Sequence, residues 1–202
     1  MSIKLNGATN GSVELDVPDA IGSDLNITIP GAAGTLDRLE RAGNILQVVQ
    51  TVKTDVFSEA ENTAPAETAD ITGLTVSITP VSTSNKVLVS GVISWGTDAT
   101  TQNQVGYRLY RGTTRLTTGD ADGSTSGVMG GGHLADGNRS PGLLVFSFLD
   151  SPNTISEVTY SVRLLNQFAT AVTLYVNRGG DTLDAATRTR GISTITAMEV
   201  AG

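Results

Sequence analysis

Ile71-Thr-Gly-Leu-Thr-Val-Ser-Ile-Thr-Pro80-Val-Ser-Thr-Ser-Asn-Lys-Val-Leu-Val-Ser-Gly-Val-Ile-Ser-Trp95 is the stretch that decides the fold class. Leu74, Val76 and Ile78 alternate with Thr75, Ser77 and Thr79, a period of two with β-branched residues that predicts a half-buried strand. Pro80 has no N–H to give a ladder and so closes this strand. Polar turn residues follow, and Val87–Trp95 resumes the pattern. The stretch is expected to form a hairpin, one wall of a β-sandwich, and it carries no reactive side chains in a catalytic spacing.

Working toward the C-terminus, the same texture continues. Val105–Arg111, a weak Thr114–Thr118, Val158–Leu165, Val172–Val176 and Ile192–Val200 all read as strands, and Ile45–Lys53 precedes the central stretch. Leu143–Leu149 is apolar at both parities, as expected of a central strand buried on each side. Val56–Asp70 and the glycine-rich Gly119–Pro141 show little periodicity and read as loops. Eight strands and a weak ninth, with no helical pattern between them, predict an all-β body of about residues 44–202, an antiparallel jelly-roll-like sandwich.

Toward the N-terminus the pattern changes. Within residues 1–43, short apolar runs (Ile3/Leu5, Val13/Leu15/Val17, Leu25/Ile27/Ile29) are separated by Gly, Asn, Asp and Pro. A ribbon of such short strands buries too little apolar area to stand alone. It is therefore expected to be an attachment arm whose Leu5, Val13, Leu15, Leu25 and Ile27 pack on a partner. Thr35–Gly43 is the most helix-like passage, two turns long, and reads as a joint between arm and body.

Composition narrows the function classes. The 202 residues carry a net charge of −7, and a polyanion such as nucleic acid would be repelled by that field. There is no cysteine, which removes disulfides, thiolate zinc sites and thiol nucleophiles. No apolar run approaches a membrane span and no secretory h-region follows Met1, so neither a membrane partner nor a signal peptide is expected.

Candidate sites are few. His133 is the single histidine, so a multi-histidine metal site within one chain is impossible; it is either a solvent-loop residue or part of a ring around a symmetry axis. Asp120-Ala-Asp-Gly-Ser124 has the alternating oxygens of a calcium loop, but Gly131 stands where such a loop needs its glutamate. No phosphate loop, nucleophile elbow or zinc-protease motif occurs, and no cofactor is expected. Among aromatics, which can stack on sugar rings, Tyr107 and Tyr160 fall inside strands and read as core. Trp95 and Tyr110 stand at strand ends, where core and ligand-facing roles are equally open. Trp95, Tyr110 and His133 are the candidate receptor-facing residues.

Two stretches carry a resemblance. Ile3-Lys-Leu-Asn-Gly-Ala-Thr-Asn-Gly-Ser-Val-Glu-Leu-Asp-Val-Pro18, with Leu25-Asn-Ile-Thr-Ile-Pro-Gly-Ala-Ala-Gly-Thr35, resembles the N-terminal attachment segments of tail-fibre and related surface proteins of marine and cyanobacterial bacteriophages. Ile45–Gln50, Val76–Val89, Phe148–Pro152 and Ile192–Val200 resemble the body domain that often follows. The resemblance implies a trimeric jelly roll of the tumour-necrosis-factor and complement type: a non-enzymatic homotrimer on the virion surface, made in the bacterial host's cytoplasm and held by its arm to other capsid or tail proteins. The chain lacks the repetitive shaft of a long fibre, which points to a short fibre or a capsid decoration protein. The alternative is a receptor-binding knob recognising a host surface glycan or protein through Gly119–Pro141 and Trp95–Gln104.

Overall fold

A computed structural model describes residues 3–6, 12–15, 41–62, 65–99, 104–116, 119–120, 123–124, 127–133, 140–168, 170–181 and 186–202. The chain divides into two compact units, Met1–Asp37 and Arg38–Gly202. In the first, β1 (Ile3–Asn6) and β2 (Ser12–Leu15) pair antiparallel, with Leu5 opposite Val13 and Ile3 opposite Leu15. Leu25, Ile27 and nearly all of the expected joint helix lie outside the described residues. Arg41–Gly43, at the end of that passage, forms a turn with Gly43 at a φ of +91°.

The second unit is an all-β, jelly-roll-like sandwich, and every strand pair in it is antiparallel. Its strands are β3 (Ile45–Lys53), β4 (Phe57–Glu61), β5 (Ala66–Glu67), β6 (Thr75–Ile78), β7 (Lys86–Thr97), β8 (Gln104–Arg111) and β9 (Thr114–Arg115). They continue with β10 (Gly130–His133), β11 (Gly142–Asp150), β12 (Val158–Asn166), β13 (Val172–Val176) and β14 (Ser193–Val200). In one sheet β7 is flanked by β11 on one side and by β14 and β13 end to end on the other; β3 and β4 complete the far edge. In the second sheet β8 and β12 form the centre, with β9 and β10 along one edge and β5 and β6 along the other. Inward side chains from both sheets, including Val87, Val89, Ile93, Trp95, Leu109, Phe146, Tyr160, Val162 and Leu164, form one core.

The expected Ile71–Trp95 hairpin is not one. β6 pairs with β12 in one sheet, whereas β7 lies at the centre of the other. Alternation reports which face of a strand is buried, not which neighbour it pairs with, and the Thr79–Asn85 link is longer than a tight hairpin turn. Leu74, Val76 and Ile78 therefore meet the core from one side, and Val87 and Val89 from the other.

That link is fastened by a buried acid. Glu199 of β14 is fully buried, and its carboxylate accepts bonds from Asn85 Nδ2 (2.6 Å), Val81 N (2.7 Å) and Gln47 Nε2 (2.5 Å). Burial by itself would raise its pKa; the bonds from Asn85, Gln47 and the Val81 and Ser82 backbone outweigh it and hold the group below its ordinary 4.5. A second acid joins the sheets. Asp150 of β11 accepts from Tyr160 Oη of β12 (2.8 Å) and pairs with Arg111 of β8 (2.7 Å). Burial, then Asp150, push the Tyr160 hydroxyl far above the usual phenol range, so it remains a donor.

Three other expectations change. Val56–Asp70 contains β4 and β5, and the Gly119–Pro141 loop contains β10. Leu143–Leu149 is not a central strand buried on both sides. β11 is an edge strand; Leu144 and Phe146 enter the core while Leu143, Val145 and Leu149 face solvent. Tyr107 Oη reaches across and donates to the Val145 carbonyl on that edge (2.9 Å).

Replacing Glu199 by Gln turns an amide N–H₂ toward groups that are themselves donors, and should cost about 3 kcal/mol in urea unfolding at neutral pH. Because the folded pKa of Glu199 is depressed, its stabilisation is complete above the ordinary glutamate value and is lost as pH falls through the lower folded one. The acid-side decline in wild-type stability should therefore be shallower in Glu199→Gln; an identical pH profile would contradict this assignment.

Candidate functional site

The three residues offered for ligand contact are not brought together. Trp95 sits near the end of β7 with its indole 1% exposed, packed in the core. A ring closed off from solvent cannot stack on a sugar, so its ligand-facing role is withdrawn. Tyr110, on β8, is 7% exposed. Its hydroxyl donates to Glu67 (2.8 Å), and the Arg163 guanidinium lies 4.1 Å from its ring centroid. Burial, and then Glu67, raise the pKa of that hydroxyl.

These contacts belong to a closed network on the outward side of the second sheet. Arg163 Nε pairs with Asp70 (2.7 Å), an interaction that raises the arginine's pKa further. Arg108 approaches Glu67 at 3.5 Å and donates from Nε to the Gly127 carbonyl (2.9 Å). Each charge already has its counter-charge, so Tyr110 serves as part of this surface and not as a free stacking platform.

His133 is exposed at the end of β10, opposite Gln104 at the start of β8. Six residues along β8 separate Gln104 from Tyr110, about 20 Å of extended chain. His133 and Tyr110 thus stand at opposite ends of the strand. Trp95 and His133 do share an end, one below the surface and one on it. Gly132 makes that stacking possible: a Cβ there would lie 3.0 Å from both Trp95 Nε1 and Leu144. Gly130 in the same way lies against the Tyr107 ring, where a Cβ would come within 2.7 Å of Oη. A run of glycines has low strand propensity and predicts a loop; here it forms a strand that passes close over two aromatic rings.

Among the described residues no group of three or more His, Asp or Glu side chains converges as a metal site. A small cleft between β4 and β13 is lined by Glu61 and Asp98. Burial, then Glu59, raises the Glu61 pKa, while Asp98 accepts from the Thr173 N–H (2.8 Å). Arg188 pairs with Asp181 (2.6 Å). Ser94 Oγ is buried without a hydrogen-bond partner, and no base lies in hydrogen-bond contact with it.

What sequence reading missed is an outward sheet face. On β3, β14, β7 and β11 the positions that point away from the core are aliphatic or neutral polar apart from Lys86, and the signal is present in the apolar outward parity of Leu143, Val145 and Leu149.

No protein-family model matches the chain, and no curated protein does. Among solved structures, matches include infectious bursal disease virus Gt strain (15% identity, TM-score 0.39, covering 96% of this chain and 46% of that one) and Gx strain (18%, 0.39, 98% and 44%). The VP2 subviral particle of the same virus matches at 16% identity and a TM-score of 0.34, over 98% of this chain and 46% of that one. The chain spans less than half the length of each viral chain, and overlaps this loose carry no argument about family or function.

Proposed function

We propose that the chain is a non-enzymatic structural subunit of a phage particle, a homotrimer whose sandwich body is displayed on the virion surface as a short fibre or capsid decoration and whose N-terminal arm attaches it to a capsid or tail protein. The observation that carries this reading is the arm. β1 and β2 are four residues each and form a two-stranded sheet within a compact unit separate from the body. A hairpin that short is marginal in water. Its natural role is to be completed by another chain, through strand addition or burial of its apolar side chains. The body needs no such completion for its own fold, because its core is closed and its buried acids are satisfied.

A second reading is a receptor-binding knob. It is favoured by the pairing of His133 with Gln104, which brings a residue of one candidate segment beside the last residue of the other. A rim built from two loops on a rigid sheet is where recognition is expected.

Deleting residues 1–37 should leave a folded, soluble body that no longer enters particles, read by blotting purified virions for the wild-type and shortened proteins. Incorporation of the shortened body at wild-type levels would remove the arm from this role. For the second reading, the purified full chain should bind host cells, and His133→Ala together with Gln104→Ala should lower that binding at least tenfold; unchanged binding would exclude this rim as the contact.

A further inference from the structure

We propose that the outward face of β3, β14, β7 and β11 is the contact between copies of this chain; this deepens the homotrimer reading above but rests on its own observations. Six of the nine large aliphatic side chains exposed among the described residues lie on it: Ile45, Val48 and Val52 on β3, and Leu143, Val145 and Leu149 on β11. Leu143 and Val145 are each 66% exposed. The six together present on the order of 600 Å², the upper end of what the largest apolar patch on a typical monomer reaches. Leu88, Val92 and Met198 lie half-buried between them and enlarge the area.

The registers order this face into rows that run across the strands. Val145 is opposite Val92, Val92 opposite Thr194, and Thr194 opposite Val52. Two residues along, Ser147, Ser90, Thr196 and Gln50 form a neutral polar row, in which Gln50 Nε2 donates to Thr196 Oγ1 (2.8 Å). Two further along, Leu149, Leu88, Met198 and Val48 form another apolar row. At the start of β3 the ladder passes from Ile45 to Gln47 and leaves Leu46 unpaired, a bulge that keeps Ile45 on the outward parity.

The occupant that fits is a second copy. The chain carries a net charge of −7, so copies repel one another through most surfaces. On these four strands the only charged outward residue is Lys86, at the rim. A contact here buries no carboxylate. Around a three-fold axis that runs along the strands, rows at one height would meet, apolar row on apolar row and hydroxyl on hydroxyl. The opposite outward face, with its Arg108, Arg163, Glu67 and Asp70 pairs, is charged and internally satisfied.

Light scattering on the full chain after size exclusion tests this. Wild type should run at three times the chain mass at micromolar concentration. Val145→Glu and Val48→Glu, each placing a carboxylate in an apolar row, should weaken association at least a hundredfold and yield monomer with an unchanged circular dichroism spectrum. Ser147→Arg in the neutral row, where added charge disturbs no core packing, provides an independent folded probe. Ile155→Glu, at an exposed apolar position off these strands, should leave the mass unchanged. A monomeric wild type, or face variants with the wild-type mass while removal of residues 1–37 gives monomer, would overturn the proposal. A face-dependent trimer that is absent from virions would instead sink the particle reading and leave this contact standing.

Discussion

A single buried carboxylate, Glu199, ties the body together. It lies on β14 against the Thr79–Asn85 crossover, and three donors from β3 and the crossover supply the compensation that a buried charge requires. The crossover is the only covalent route from β6 in one sheet to β7 in the other. Fixing it sets how the Val76 side of the core meets the Val89 side. Asp150 repeats the device elsewhere: one acid on β11 binds Tyr160 and Arg111 of the opposite sheet. The two layers are thus joined by apolar packing and by Asp150, whose bonds run to strands of the opposite sheet, while Glu199 holds the crossover between them.

This arrangement explains how much of the molecule could be read in advance. Strands with β-branched alternation, such as Val172–Val176 and Ile45–Lys53, were legible because one face is core. Their neighbours were not, since a strand crossing the core and a strand returning in a hairpin bury the same parity. β11 misled for a related reason. Its outward Leu143, Val145 and Leu149 look like a second buried face unless their solvent exposure is known. β10 was invisible because its glycines were selected by the space above Trp95 and Tyr107 and not by strand propensity.

The candidate site was the least legible part. Trp95 and Tyr110 lie near strand ends, as read, but a strand end need not lie at the surface when another strand covers it. β10 covers one, and the Arg163 side chain covers the other. The function proposed above rests on extended surfaces, an arm and a sheet face, whose residues are ordinary Val, Leu, Ser and Thr. No short motif marks such a surface; it becomes visible only when registers place the residues in rows.

The bond from Tyr107 to the Val145 carbonyl bears on how far an assembly of this chain can grow. β11 is a nine-residue edge strand flanked by aliphatic side chains, the kind of margin on which another strand can dock, then another, without end. The phenol occupies an acceptor near the middle of that margin, at the position an incoming backbone N–H would need. Growth by ladder extension is interrupted there, while the broad side of the sheet stays open. Contacts through a broad side, as proposed above, can close on themselves after a few copies, and the Tyr107 hydroxyl takes one acceptor from the competing edge.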